Sequence, residues 1–272
     1  MTEEERHSIF RSAGQDADRA HRQPETEQTL SPVYRLAFED TEFLRRERLR
    51  PLRLQLELLK PELTMEDAGI ASTVVLFGGA RIPAPAERES ARTETLAGLA
   101  EYYEEARKFA QLAGKACLAR DGREYVVVTG GGPGVMEAGN RGAREVGAPS
   151  MGLNIVLPHE QAPNEYVSPE LCFNFHYFAI RKMHFLMRAC AVAVFPGGYG
   201  TLDELFETLT LIQTDRMQRV PVLLFGEKFW RSIVNWKALA DAGTISDEDL
   251  DLFRFVETAE EAWATIAPGA TD

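Results

Sequence analysis

The segment Pro196-Gly197-Gly198-Tyr199-Gly200-Thr201-Leu202-Asp203-Glu204-Leu205-Phe206-Glu207 sets glycines, a hydroxyl and acids side by side, and the run FHYFAIRKMHFLMRAC just before it supplies cations. Glycine lets a backbone come close to a ligand, and a helix N-terminus beyond it offers unpaired N–H groups at the positive end of the dipole. Gly197, Gly198 and Gly200 therefore form a candidate anion cradle, with phosphate as the natural anion. Thr201 can cap the helix and add its hydroxyl to that site. At 100° per residue Glu204 and Glu207 share a face near Gly200. A carboxylate one turn from the phosphate of a sugar phosphate can stabilise positive charge on the sugar or activate water. Asp203 and Glu204 also suit plain compensation of a helix dipole, and both readings stand at this point.

In the preceding run, Arg181, Phe185 and Arg188 fall on one helical face while Lys182 points elsewhere. In a net-acidic chain, Arg181, Lys182 and Arg188 beside the glycine loop are candidate ligand contacts, set against the ordinary role of surface solvation. A second loop, Gly130-Gly131-Gly132-Pro133-Gly134, adds Gly131, Gly132 and Gly134 to the candidate cradle, although tight strand-to-helix turns would use glycines equally. His176 and His184 lie nearby without metal-ligand spacing, so no metal is expected.

Familiar nucleotide fingerprints fail. A G-x-G-x-x-G loop starting at Gly132 has Glu137 in its last position, and one starting at Gly198 has Asp203 there, which disfavours a dinucleotide. No glycine precedes a Lys-Ser or Lys-Thr pair, so a Walker loop is absent.

These residues need elements to hold them. After Ala71 short β-branched runs alternate with amphipathic helices: STVVLFGGARIP, EYVVV before the second glycine loop, SMGLNIVLP, CAVAVF before the third, VPVLLFG and a short FRFVE read as strands. Thr93 to Arg120, Val135 to Val146, Ala179 to Arg188 and Thr201 to Asp215 read as the helices between them. The alternation predicts an α/β, Rossmann-like, doubly wound and mainly parallel sheet with helices on both faces, in which ligands sit at the carboxyl ends of strands. Residues 1–31 show neither period and read as a mobile tail. Residues 32–71 read as a helical arm, with Leu49, Leu52, Leu56 and Leu59 at three- and four-residue spacing and Pro51 separating two helices, and packing on the core or a second subunit. Residues 72–268 form the α/β domain.

Composition bounds the rest. Of 272 residues, 44% are hydrophobic and 26% charged, which excludes disordered, collagen-like and coiled-coil classes. With 30 Lys and Arg against 42 Asp and Glu, the formal charge of −12 disfavours a nucleic-acid surface. Three cysteines without a CxxC pair encode no disulfide framework and suit a reducing cytosol, and no run of about 18 apolar residues predicts a membrane span.

The run from Pro196 to Glu204 resembles the PGGxGTxxE signature of the Lonely Guy (LOG) family of phosphoribohydrolases, whose members long carried the label "possible lysine decarboxylase". Arg181-Lys182 stands at the spacing of that family's Arg-Lys pair, and the resemblance extends over about Ser72 to Phe225. It implies a Rossmann-like fold and hydrolysis of the N-glycosidic bond of a nucleoside 5′-monophosphate, AMP or an N6-modified AMP, to free base and ribose 5-phosphate. It also implies Arg181 and Glu204 as the catalytic pair, Gly197, Gly198, Gly200 and Thr201 as phosphate holders, and association into a homodimer or larger homo-oligomer. Departures from the plant-like pattern, Phe77-Gly78-Gly79-Ala80-Arg81 at the first strand end and Met187 where a second Arg is expected, are more like bacterial relatives. No metal or organic cofactor is expected. Two rivals remain: a molybdenum-cofactor carrier of the same fold, and a pyridoxal-phosphate decarboxylase with Lys182 as Schiff base.

Overall fold

The computed structural model describes residues 10–158 and 162–267; residues 1–9 of the expected tail and residues 159–161 and 268 of the expected domain lie outside the described residues. The chain divides into two compact units, Met1–Leu56 and Glu57–Asp272.

The first unit holds α1 (Ala13–Ala20), α2 (Thr41–Leu44) and the start of α3 (Arg50–Asp67), with 3₁₀ turns at Pro32–Tyr34 and Glu47–Leu49. Helix α1 lies where no helical period is legible. It rests on a capping box: Gln15 N–H donates to Ser12 Oγ at 3.3 Å while Ser12 N–H donates to the Gln15 amide oxygen at 3.2 Å. Pro51 does not divide two long helices. It stands in the first turn of α3, where a missing N–H costs nothing, and Pro61 is the proline inside the helix.

In the second unit β1 (Thr73–Phe77), β2 (Val126–Thr129), β3 (Ser150–Ile155), β4 (Cys172–Phe175), β5 (Ala189–Val194), β6 (Val222–Phe225) and β7 (Arg254–Val256) form one sheet in the order β4-β3-β2-β1-β5-β6-β7. Every pairing is parallel. The doubly wound fold is as read from the sequence, with β4 as an additional edge strand. The stretch read as one helix from Thr93 is two: α4 (Glu94–Gly98), capped by Thr93, and α5 (Ala100–Leu118), with Leu99 between them. The remaining helices are α6 (Val135–Glu145), α7 (Phe178–Leu186), α8 (Tyr199–Gln213), α9 (Glu227–Ile233), α10 (Trp236–Asp241) and α11 (Ala259–Ile266). Among the described residues no helix is long and apolar enough to cross a membrane.

Strand periodicity divides the core. Val74 and Leu76 face Tyr103 and Phe109 of α5, Ala138 of α6 and Trp263 of α11, whereas Val75 and Phe77 face Met65 of α3, Phe185 of α7, Leu205 of α8 and Trp230 of α9. Both faces of the central strands are buried, which is why they read as unbroken apolar runs rather than alternating ones. Each fully buried large side chain contributes roughly 1.5–3 kcal/mol by leaving water. The chain winds outward from β1 through β2 and β3 to β4, then crosses back to β5 on the other side of β1. The carboxyl ends of β1 and β5 therefore open a crevice at the reversal of winding.

Candidate functional site

That crevice is a cleft of about 810 Å³ whose walls include Gly78, Arg81, Met136, Arg181, Gly197 to Leu202 and Glu204. One end is the start of α8. Its N-cap is Gly198, with no side-chain cap, and it has no acid in its first turn. Backbone N–H groups at the cleft end of the helix are left for a ligand or water. Thr201 is not the cap the sequence suggests. It sits three residues inside, 5% exposed, beneath the loop. A Cβ on Gly197 would lie 2.2 Å from Thr201 Oγ1, so glycine is needed there for packing, while a Cβ on Gly198 or Gly200 would meet nothing within 4 Å. Gly198 has φ −97°, a backbone any residue adopts, so its fitness for the site is a matter of open space and not of backbone freedom.

Glu204 projects from the second turn of α8 into the same cleft. Burial pushes its carboxyl up to about 7, against the lowering influence of Arg181, while Asp203 raises it further. Dipole compensation would do the opposite and hold it low. Arg181 is brought in by α7. Its Nε donates to the Leu153 carbonyl within β3 at 2.7 Å, and its guanidinium lies 5.1 Å from the Phe185 ring centre, so the face shared by these two residues is real. A Cβ on Gly130 would stand 2.6 Å from Arg181 Nη2, so that glycine leaves room for the guanidinium.

The structure separates the other candidates from this cleft. Lys182 Nζ lies 3.0 Å from Asp203 and 2.9 Å from Glu207, on the flank between α7 and α8. Burial alone would lower the Lys182 pKa, but hydrogen bonds to Glu207 and Asp203 carry it above the usual range. Arg188 pairs with Glu62 instead of a ligand. The second glycine loop spends its polar groups internally. Gly131 N–H donates to Thr129 Oγ1 at 2.9 Å, and Asn164 Nδ2 donates to the carbonyls of Gly131 and Gly132 at 3.0 Å each. Thr129 Oγ1 in turn donates to buried Asn140 at 2.7 Å. Gly134, at φ +69°, starts α6 and packs so tightly on the first loop that a Cβ would come within 2.5 Å of the Gly79 carbonyl oxygen. Gly131, Gly132 and Gly134 thus brace the cleft wall that carries Met136.

Sequence reading did not single out the apolar walls: Ile82, Leu96 and Leu99 on one flank, Phe229 and Ile233 on the other. Leu96 and Leu99 share a helical spacing, but Ile82 arrives from the β1 loop and Phe229 and Ile233 from α9, so no one spacing marks the wall. Among the described residues no group of three or more His, Cys, Asp or Glu is placed to hold a metal ion.

Solved structures resemble the chain at low identity. A structural-genomics target solved by X-ray crystallography is 23% identical over 71% of this chain and 96% of its own, with a TM-score of 0.44. A molybdenum cofactor binding protein from the phototrophic bacterium Rippkaea orientalis is 15% identical over 71% and 93%, with a TM-score of 0.43. The molybdenum cofactor carrier protein from Chlamydomonas reinhardtii is 17% identical over 71% and 94%, with a TM-score of 0.44. No curated protein matches the chain. Residues 136–266, which span the helix of Arg181 and the loop and helix of Glu204, match the family described as "Possible lysine decarboxylase".

Proposed function

We propose that the protein hydrolyses the N-glycosidic bond of nucleoside 5′-monophosphates, AMP or an N6-modified AMP, to free base and ribose 5-phosphate. One observation carries the reading: an uncapped helix start, a half-buried carboxyl raised to about 7 and an arginine converge in a single cleft at the carboxyl ends of β1 and β5. The phosphate lies on the N–H groups from Gly198 to Thr201, where helix dipole and glycine clearance both favour it. The ribose then reaches the second turn of α8, where Glu204 stands. As the bond from the sugar to the base breaks, its electron pair leaves with the base, which takes up a proton, and positive charge grows on the ring. Ionised Glu204 stabilises that charge and accepts a proton from the water that adds to the sugar carbon. A carboxyl with a pKa near 7 suits this exchange at neutral pH, because its two protonation states are close in energy. Arg181, fixed on Leu153, holds Glu204 and the ribose in place.

The decarboxylase label does not fit the residues. Lys182 is protonated between two carboxylates and lies off the cleft, so it is not a free amine for a Schiff base. The protein acts in our reading as a homodimer or larger homo-oligomer in the cytoplasm, without a metal or organic cofactor. Incubation of the purified protein with nucleoside mono-, di- and triphosphates, with base release followed by chromatography, tests the proposal. Release from a monophosphate is expected, and no release from any of them would overturn it.

A further inference from the structure

Helix α7 carries Arg181, yet its own N-cap residue, Tyr177, makes no side-chain cap. The exposed donors at that end are satisfied from α3. Glu57 Oε1 accepts from His176 N–H at 2.8 Å, and its Oε2 accepts from Tyr177 N–H at 3.1 Å. The Tyr177 carbonyl then accepts from Arg181 N–H at 3.1 Å, so the turn that Glu57 begins is the turn that closes on Arg181. A second tie runs from the middle of α7, where His184 Nε2 lies 3.2 Å from the Glu57 carbonyl. A carbonyl can only accept, so Nε2 carries the proton. His184 is 3% exposed, and burial holds its pKa below the usual imidazole range, against the raising influence of the Glu57 carbonyl and of Glu62, whose Oε1 lies 3.5 Å from Nδ1. A third tie follows the end of α7, where Arg188 pairs with Glu62 and donates from Nε to the Ile70 carbonyl at 3.3 Å.

Of these ties only the first reaches the turn of Arg181. A carboxylate on a helix N-terminus combines two charge-assisted hydrogen bonds with a favourable dipole, which makes it a stiff attachment. Arg181 must meet Glu204 across a cleft from a different helix, so rotation or sliding of α7 changes their separation directly. We propose that Glu57 is a positioning residue for Arg181, its carboxylate clamping the start of α7 so that the guanidinium is held at the depth the cleft requires. The inference rests on the reading of Arg181 and Glu204 as the catalytic pair, and it assigns to the helical arm a part in the chemistry without contact with substrate.

The test uses the full chain with Glu57→Ala and Glu57→Gln, comparing base release from AMP with hydrogen exchange of the peptide covering residues 176–186. The alanine variant is expected to lose about tenfold or more in kcat with KM within about threefold, since orientation is lost while the phosphate cradle is intact. Charged groups facing Glu204 are Arg181 and Lys182 from α7 and Asp203 and Glu207 from α8. With Arg181 displaced, its lowering influence on Glu204 weakens and the acid limb of the pH–rate profile moves to higher pH. Exchange over 176–186 is expected to rise while that of the central strands stays unchanged. Glutamine keeps one acceptor and should fall between wild type and alanine, which retains a readout if the alanine variant folds poorly. Unchanged exchange over 176–186, or a kcat loss with an unmoved acid limb, would overturn the clamp. A wild-type protein that releases no base would overturn the functional reading alone, and the exchange experiment would still decide the clamp.

Discussion

Lys182 Nζ lies 2.9 Å from Glu207 Oε2, tying the helix that carries Arg181 to the helix that carries Glu204 on the side away from the cleft. Adjacent cations thus divide the work: Arg181 enters the site and Lys182 sets the spacing of its two helices. Because the pair is partly open to solvent, its worth is that of a modest ion pair. A double-mutant cycle with Lys182→Met and Glu207→Gln should give a coupling of about 0.5–1 kcal/mol in denaturant unfolding, with phosphate affinity little changed. Pyridoxal phosphate followed by borohydride should leave Lys182 unlabelled; efficient labelling there would contradict the protonated, paired amine.

Glu204→Gln keeps the shape of the side chain but removes the charge that a cationic transition state needs, so base release should fall by at least about a thousandfold while monophosphate binding stays within about tenfold. In the proposed reaction the active form is the carboxylate, and its pKa is raised to about 7. The rate should therefore rise with pH through that region. Initial-rate profiles from pH 5 to 9 check this, and retention of more than about a tenth of wild-type turnover in the glutamine variant would reduce Glu204 to a structural acid.

The same shift affects stability. The folded protein holds the Glu204 proton to higher pH than the unfolded chain, since its value rises from 4.5 to about 7 on folding. That contribution is complete below 4.5 and is lost as pH rises through about 7. Glu204→Gln should match wild type at low pH and exceed it by about 1–3 kcal/mol at pH 8. Thermal melts at pH 5 and pH 8 measure the difference, and a gap that shrinks with pH would refute the sign.

Much of this arrangement is legible in residue order, for physical reasons that also mark where reading stops. The strands β1, β2, β5 and β6 are buried on both faces, so their apolar runs stand out. β4 is a four-residue edge strand in which only Phe173 and Phe175 are buried, too little for any period to show. Helix α1 rests on a two-residue capping box in a polar segment and buries only Ala17, so no apolar stripe marks it. Glycines alone do not separate the third loop, which opens on the cleft, from the second, where hydrogen bonds among Thr129, Asn140 and Asn164 tie the loop down. Glu57 gives no signal at all: its partners lie 119 and 120 positions further along the chain.

The glycines of the third loop should separate by position. Gly198→Val places a side chain into open space at an ordinary backbone angle, so the variant should fold and lose phosphate affinity by about tenfold or more. Gly197→Ala forces a methyl against Thr201 Oγ1 and should cost about 1–3 kcal/mol in stability before any question of binding arises. Circular dichroism melts and calorimetric titration with AMP distinguish the two. A folded Gly198→Val that binds AMP normally would remove the phosphate from this loop.

Helix α3 turns Pro61 and Met65 inward, whereas Leu52, Leu56, Leu59 and Leu63, at three- and four-residue spacing, are all exposed. Such a stripe is the apolar face of an amphipathic helix, and a second copy of the chain is the partner expected for it. Covering a few hundred square ångströms of it contributes several kcal/mol at roughly 25 cal/mol/Å², enough to hold two copies together only if further surface joins in. Met183 and Met187, exposed on and just after α7, supply apolar surface of that kind. Light scattering at micromolar concentration should give a mass above the 30.4 kDa of one chain, and Leu59→Glu with Leu63→Glu should shift it toward the monomer. Because Met183 and Met187 belong to the segment that carries Arg181, dissociation should also lower base release. A wild-type monomer with full activity would show that the exposed stripe serves no self-association and that the cleft is complete within one chain.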